Sequence, residues 1–471
     1  MQEKMKNKLM NKFLVVLALT IGFTSCDTVD YGDTNVNTNS PSDASPGALL
    51  TSAERSVSSI VDATAPNLYA QYLSNGQYAD ESQYSTLNWS FNGWYSTLID
   101  LQNIVELNSN EATATNAQAY GSNANQIAAA SILRVYFLKH MTERWGRIPY
   151  TEALMGLDNP YPVFDSQESI YNGLISELDA ALAMIDGGNG PAGDYIFGGD
   201  MSQWETFGNT MKLVMGLRMS NADPSTGQAW FNDALSEVIS SNAENLYYPY
   251  LGEEANDNPW EDRFQTRRDY LLADTFVDAL IGSGTSTAPE DPRLFEMGEP
   301  AFNTGEFTGA PYGEINSATD NYAWITDDII FNQQAPLYMF TYSEVLFARA
   351  EAAELGWTNE DAESLYEQAI QASMDQWGVA TADATAYIAA NPYAGLESIG
   401  YEKWVALYLQ GYESWTEWRR MLAMGYEKEL DPPAQMLGGA TGIPNRHAYS
   451  ATAAQLNEDN YEDAVSAQGP D

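Results

Sequence analysis

A mainly α-helical fold with long irregular loops is the class this sequence predicts, and three observations predict it. Apolar residues recur at helical spacing, helix-start signals precede several of those runs, and no comparable series of alternating strands accompanies them. At 471 residues and 44% hydrophobic content the chain can bury one large core or two medium ones without disulfides or metals.

The first 25 residues stand apart. Lys4, Lys6, Lys8 and Lys12 precede an apolar run from Phe13 to Phe23 broken only by Thr20 and Gly22, the layout of an export signal. That run is about half of the roughly 20 residues a helix needs to span a bilayer. Thr24 and Ser25 follow, then Cys26, the only cysteine of the chain. A lone thiol forms no intramolecular disulfide, and its place at the end of the run suits acylation, so residues 1–25 are expected to be removed and Cys26 to carry a lipid.

Residues 26–45 read as a flexible tether. They are nearly all Asp, Thr, Asn, Ser, Gly and Pro, and their few apolar positions form no periodic face that would offset the entropy of ordering. The folded domain is expected over residues 46–471.

Within it, Ala129, Leu133, Tyr136, Phe137 and Met141 share one face of a helix ending near Trp145 and Gly146. Asp165 with Glu168, and Ser202 with Glu205, have capping-box spacing. Each precedes an apolar series: Ile170, Leu174, Leu178 and Leu182 in one, Phe207, Met211 and Met215 in the other. The stretches 245–268 and 282–321 read as loops, and their aromatic content argues against disorder. Leu346 and Ala350, a turn at Gly356, and Ala362, Tyr366 and Ala369 form a helical pair similar to the tetratricopeptide pattern, although an ordinary helical hairpin fits the same residues.

Charge narrows the ligand classes. Without the first 25 residues, 17 basic and 64 acidic residues remain, a net charge of −47. Such a surface repels nucleic acid, anionic lipid heads and strongly anionic polymers. The same charge also serves solubility.

Signals of catalysis are missing. With so many carboxylates an acidic pair occurs by chance, so none can be read as a glycosidase's acid and base. His140 and His447 read as structural, and the sequence has no HExxH, CxxC, Walker or GxSxG arrangement. Gly188, Gly190 and Gly193 match GxGxxG but follow a helical segment and include Pro191, so they read as a loop. No EF-hand spacing is present, and neither a metal nor a cofactor is expected.

The aromatic residues carry more information. Of 12 Trp and 29 Tyr, many lie in polar loops, where a flat ring can stack on a sugar while polar neighbours bond its hydroxyls. Tyr78, Glu81, Tyr84 and Trp89 form one cluster; Asn258, Trp260 and Arg267 a second; Tyr312, Asn321, Tyr322 and Trp324 a third. These eleven residues are the candidate ligand-binding set, with Trp260 and Trp324 favoured. Arg263, Arg267 and Arg268 make a locally basic spot in an acidic chain.

Several segments resemble the SusD/RagB family of Bacteroidetes outer-membrane lipoproteins. They are Glu143-Arg144-Trp145-Gly146-Arg147-Ile148-Pro149-Tyr150 with Thr151-Glu152-Ala153, Thr341-Tyr342-Ser343-Glu344-Val345-Leu346-Phe347 running into Ala350-Glu351-Ala352, and Lys403-Trp404 through Gln410-Gly411-Tyr412-Glu413-Ser414-Trp415 to Arg419-Arg420. Gly442-Ile443-Pro444 with Arg446 and Tyr449 resembles the family's closing segment. The resemblance implies a largely helical fold with tetratricopeptide-like helix pairs. It also implies a noncatalytic nutrient-binding role at the outer membrane, partnered with a SusC-like TonB-dependent transporter. A neutral glycan such as a β-glucan, α-glucan or mannan is the expected ligand. Peptide capture, as in RagB-like members, is the alternative, and a helical glycoside hydrolase ranks last.

Overall fold

The computed structural model describes residues 44–282 and 290–469. The expected signal, Cys26 and most of the expected tether lie outside the described residues. From Ser45 onward the described residues form one compact unit, built mainly of helices.

The central helix is Asn123–Trp145, and Gly146 ends it at φ +74°, a conformation that favours glycine. Its expected apolar face is buried, but so is almost everything else from Asn125 to Trp145. Helices Asn92–Ser109 and Gln167–Met184 pack on it. Pro46–Arg55 lies on Asn92–Ser109 through Ser52–Asp100 and Thr97–Ser56 bonds, each 3.0 Å.

Both expected capping boxes are displaced. Gln167–Met184 is capped by Ser166, whose hydroxyl accepts from Ser169 N. Asp165 instead accepts from Tyr150 N at 3.0 Å and Thr151 N at 2.8 Å, pinning the loop that follows the central helix. Met201–Arg218 is capped by Asp200, which accepts from Ser202 N, so Ser202 stands inside the helix.

The helical pair around Gly356 forms as expected from Tyr342–Glu354 and Ala362–Trp377, with Gly356 at φ +72°. Leu346, Ala350, Tyr366 and Ala369 meet in a core of their own. Two further pairs accompany it: Asn123–Trp145 with Gln167–Met184, and Met201–Arg218 with Pro224–Ala234. In the last, a Cβ on Gly227 would stand 2.5 Å from Gly216 O, so the backbones approach where only glycine fits.

The resembling segments converge in a buried ion network. Arg218 bonds Glu143, Glu413 and Glu417; Lys139 meets Glu413 at 2.6 Å; Lys403 meets Glu417; and Arg420 grips Glu351 and Glu417. These side chains come from Asn123–Trp145, Met201–Arg218, Tyr342–Glu354, Leu396–Ala406 and Gly411–Met424. Breaking one partner would leave a buried charge uncompensated, so the network fixes how five helices meet. The closing segment joins it from outside: Trp415 Nε1 donates to Pro444 O at 2.7 Å, and the Tyr449 hydroxyl to Arg147 O.

The stretches expected to be loops contain short strands, too brief to show alternation in sequence. Strands β1 (Leu73–Asn75), β2 (Asn88–Trp89), β3 (Leu246–Tyr248), β4 (Tyr270–Leu272), β5 (Gly298–Glu299), β6 (Trp324–Ile325), β7 (Leu337–Phe340) and β8 (Ala448–Tyr449) make three small sheets. The four-stranded one has the order β1-β4-β6-β5, antiparallel throughout, with Leu73 opposite Leu272 and Leu271 opposite Trp324. It draws together segments nearly 250 residues apart.

Candidate functional site

At this sheet parts of the three aromatic clusters meet. Gly76 N donates to Asp269 O and Asn316 N to Gly76 O, both at 2.8 Å, which ties the loop after β1 to the segments before β4 and before β6. Side chains extend the tie. Arg267 Nη1 donates to the Tyr78 hydroxyl at 2.9 Å, and Arg268 Nη1 reaches Asp320 Oδ1 at 3.4 Å. Asn303 Nδ2 donates to Asn321 Oδ1 at 2.8 Å. The result is an irregular rim of alternating rings, amides and charges.

Tyr78 is 44% exposed, Arg267 and Asn321 are exposed, and Tyr322 is half-buried. Glu81 is half-buried behind them, accepting from Asn75 Nδ2 and the Tyr270 hydroxyl, each at 3.0 Å. These five keep surface or rim positions. Trp89, 39% exposed, belongs to the β2–β8 ribbon, where its ring stacks on His447 at 5.6 Å.

Five other expected contacts are turned inward or covered. Trp260 is 0% exposed because the helix Pro259–Phe264 turns its indole edge-on into Tyr270, 5.6 Å away. Asn258 caps that helix: its Oδ1 accepts from Trp260 N and its Nδ2 donates to Ala335 O, both at 2.8 Å. Tyr84 is 0% exposed, carried inward by a left-handed backbone (φ +62°) to pack on the edge of Tyr69. Trp324 is 5% exposed, its ring capped by the Arg268 guanidinium at 4.1 Å. Tyr312 is half-buried, its hydroxyl donating to Leu68 O at 2.7 Å, and it faces a different cavity of about 750 Å³ beside Asp274, Asp278, Tyr387, Tyr401 and Lys428. The reason is common to these residues: a large ring near a short strand gains more by covering the sheet than by facing water.

Sequence reasoning missed Phe302, Asn303 and Asp320. Phe302 is 72% exposed, and its neighbour Asn303 donates through its backbone to Asp320 O at 3.0 Å. Phe302 stands among polar loop residues without a helical face, the same signal that marked the tyrosines, but its ring lacks the polar handle that distinguishes Trp and Tyr from core rings.

Both histidines are buried and held well below their ordinary titration range, His140 by burial and then by Lys139, Arg144 and Arg218, His447 by burial and then Arg144 and Arg419. Neutral imidazoles enclosed this way have no route to a substrate. His140, Glu143 and Glu413 come close enough to share a metal ion, but Lys139 and Arg218 already neutralise the two carboxylates. The rim therefore offers rings, amides, guanidinium groups and the carboxylates of Glu81 and Asp320 for binding.

The fold has known relatives. The SusD-like family described as "Starch-binding associating with outer membrane" matches residues 38–450. No protein of curated function matches. Among solved structures, one described as a chitin-binding protein is 24% identical, with a TM-score of 0.75 over 90% of this chain and 97% of that one. A SusD homologue from Bacteroides fragilis is 22% identical, with a TM-score of 0.76 and the same coverage. A chitin-binding SusD homologue from Flavobacterium johnsoniae is 20% identical, at 0.71 over 90% of this chain and 96% of that one. At these identities the likeness establishes the fold. No helix among the described residues is long and apolar enough to cross a membrane.

Proposed function

The chain belongs to the SusD-like family of starch-binding proteins that associate with the outer membrane, and from that premise we propose that it captures a glycan at the rim of the β1-β4-β6-β5 sheet and passes it to a SusC-like TonB-dependent transporter. The observation that carries this reading is the convergence of Tyr78, Arg267, Asn321, Tyr322 and Phe302, from separate segments, on one irregular edge. Rings supply contact area and amides select hydroxyl geometry, and no bond in the ligand is broken. Lipid on Cys26 would hold the protein at the membrane, with residues 26–45 as tether and residues 46–471 as the binding domain.

The net charge of −44 favours a neutral polymer. An α-glucan, a β-glucan, a mannan or, by likeness to the chitin-binding neighbours, chitin meets that condition. Affinity electrophoresis in gels containing starch, laminarin, mannan, glycol chitin or alginate tests the class. Retardation by a neutral polysaccharide and free migration in alginate is the expected result. Free migration in every neutral gel, with binding to an oligopeptide pool, would replace glycan capture by peptide capture.

A further inference from the structure

Arg268 lies over the indole of Trp324, its guanidinium carbon 4.1 Å from the ring centroid. We propose that Arg268 is a displaceable cover, which occupies the indole face in the free protein and swings away so that a sugar can stack there. The proposal rests on the reading of this rim as a glycan site and adds to it a residue that sets the cost of binding.

Trp324 itself is fixed. Strand β6 is paired with β4 on one side and β5 on the other, and the indole Nε1 donates to Asp327 Oδ1 at 3.3 Å. A ring held this way cannot move out to meet a ligand, so access depends on what covers it.

The cover is loosely held. Arg268 lies in the irregular segment between the helix Pro259–Phe264 and β4. It reaches Asp320 at 3.4 Å, and Asp320 is more than half exposed. A pair of that length whose acidic partner faces solvent contributes little to holding a side chain in place. Trp260 shows the opposite arrangement: Arg263 above it is fastened to a largely buried Asp62 at 2.9 Å, and Tyr270 meets the indole edge-on, so that ring is packed for good.

Chemistry makes the two occupants exclusive. A guanidinium is drawn to the negative face of the indole, and the C–H face of a pyranose uses the same area. Binding then carries the cost of breaking a partly exposed cation–π contact, and removing the arginine is expected to tighten binding by about two- to fivefold.

The test compares wild type, Arg268→Ala and Asp320→Asn, after confirming unchanged thermal midpoints. Hydroxyl-radical labelling read by mass spectrometry at Trp324 reports the cover directly; titration with maltoheptaose and with N-acetylchitohexaose reports its effect on binding. Arg268→Ala is expected to be labelled several-fold more than wild type, with Asp320→Asn between them, and to bind whichever sugar wild type retains more tightly. Equal labelling in wild type and Arg268→Ala would overturn the cover. Raised labelling with weaker binding would overturn it as well, because the guanidinium would then be a ligand contact. Should neither sugar bind any form, α-glucan and chitin are excluded as the ligand, while the labelling still decides whether Arg268 covers the ring.

Discussion

Glu54, on the helix Pro46–Arg55, carries its carboxyl into the protein interior, where it accepts from Tyr195 N. Burial, and then the neighbouring Asp194 carboxylate, push its pKa up to about 10. The sign follows from the two states. The folded pKa is raised above the unfolded value, so the contribution of the neutral acid is complete below about pH 4.5. It declines as the unfolded chain ionises, and is gone above pH 10. Glu54→Gln keeps the shape without the titration. It should leave the protein's stability nearly unchanged at pH 4 and raise it by on the order of 3 kcal/mol near pH 7, as read by urea unfolding at both values. A stabilisation that does not grow with pH would show that Glu54 is already ionised in the fold. Nothing in the sequence marks this residue, since one glutamate among so many looks like solvated charge until its neighbours are known.

At the scale of elements, the pair Met201–Arg218 and Pro224–Ala234 depends on Gly216 and Gly227 touching backbone to backbone. Alanine for glycine inside an ordinary helix stabilises by about 1 kcal/mol. Here the added methyl of Gly227→Ala would meet Gly216 O at 2.5 Å and the Trp357 ring at 3.0 Å, so the change should cost about 1–3 kcal/mol in urea unfolding. Hairpins of this kind were legible where both helices showed small residues at regular spacing around a glycine turn, as at Gly356. They were hidden where partners are separated by a long insertion, as between Trp145 and Gln167. Strands of two to four residues left no alternation to read, so the sheet that assembles the rim was missed although most segments of the rim had been picked out. Cap positions slipped for a related reason: Asp165 and Ser202 have the right spacing, but Asp165 is taken by Tyr150 and Thr151 and Asp200 caps first.

At the scale of the molecule, a scaffold and a site separate cleanly. The segments that resemble the family supply Glu143, Glu351, Lys403, Glu413, Glu417 and Arg420 to the buried network, together with Lys139 and Arg218, and they name the fold without touching the rim. The rim residues come from segments outside those matches, which is why the fold was readable from motifs and the site only from side-chain chemistry. That chemistry picked segments that the sheet brings together and misjudged which rings face water. Residue type alone does not tell an indole that covers a sheet, as Trp260 does, from a phenol that faces solvent, as Tyr78 does.

The central claim is that exposed rim groups hold the glycan while enclosed rings such as Trp260 and Tyr84 hold the fold. Its most direct test is affinity electrophoresis of Tyr78→Ala beside Trp260→Phe, in whichever polysaccharide retards the wild type. Tyr78→Ala should migrate freely with an unchanged unfolding midpoint, and Trp260→Phe should unfold more easily yet remain retarded. Full retardation of Tyr78→Ala, with loss of binding in a folded Trp260→Phe, would contradict the account.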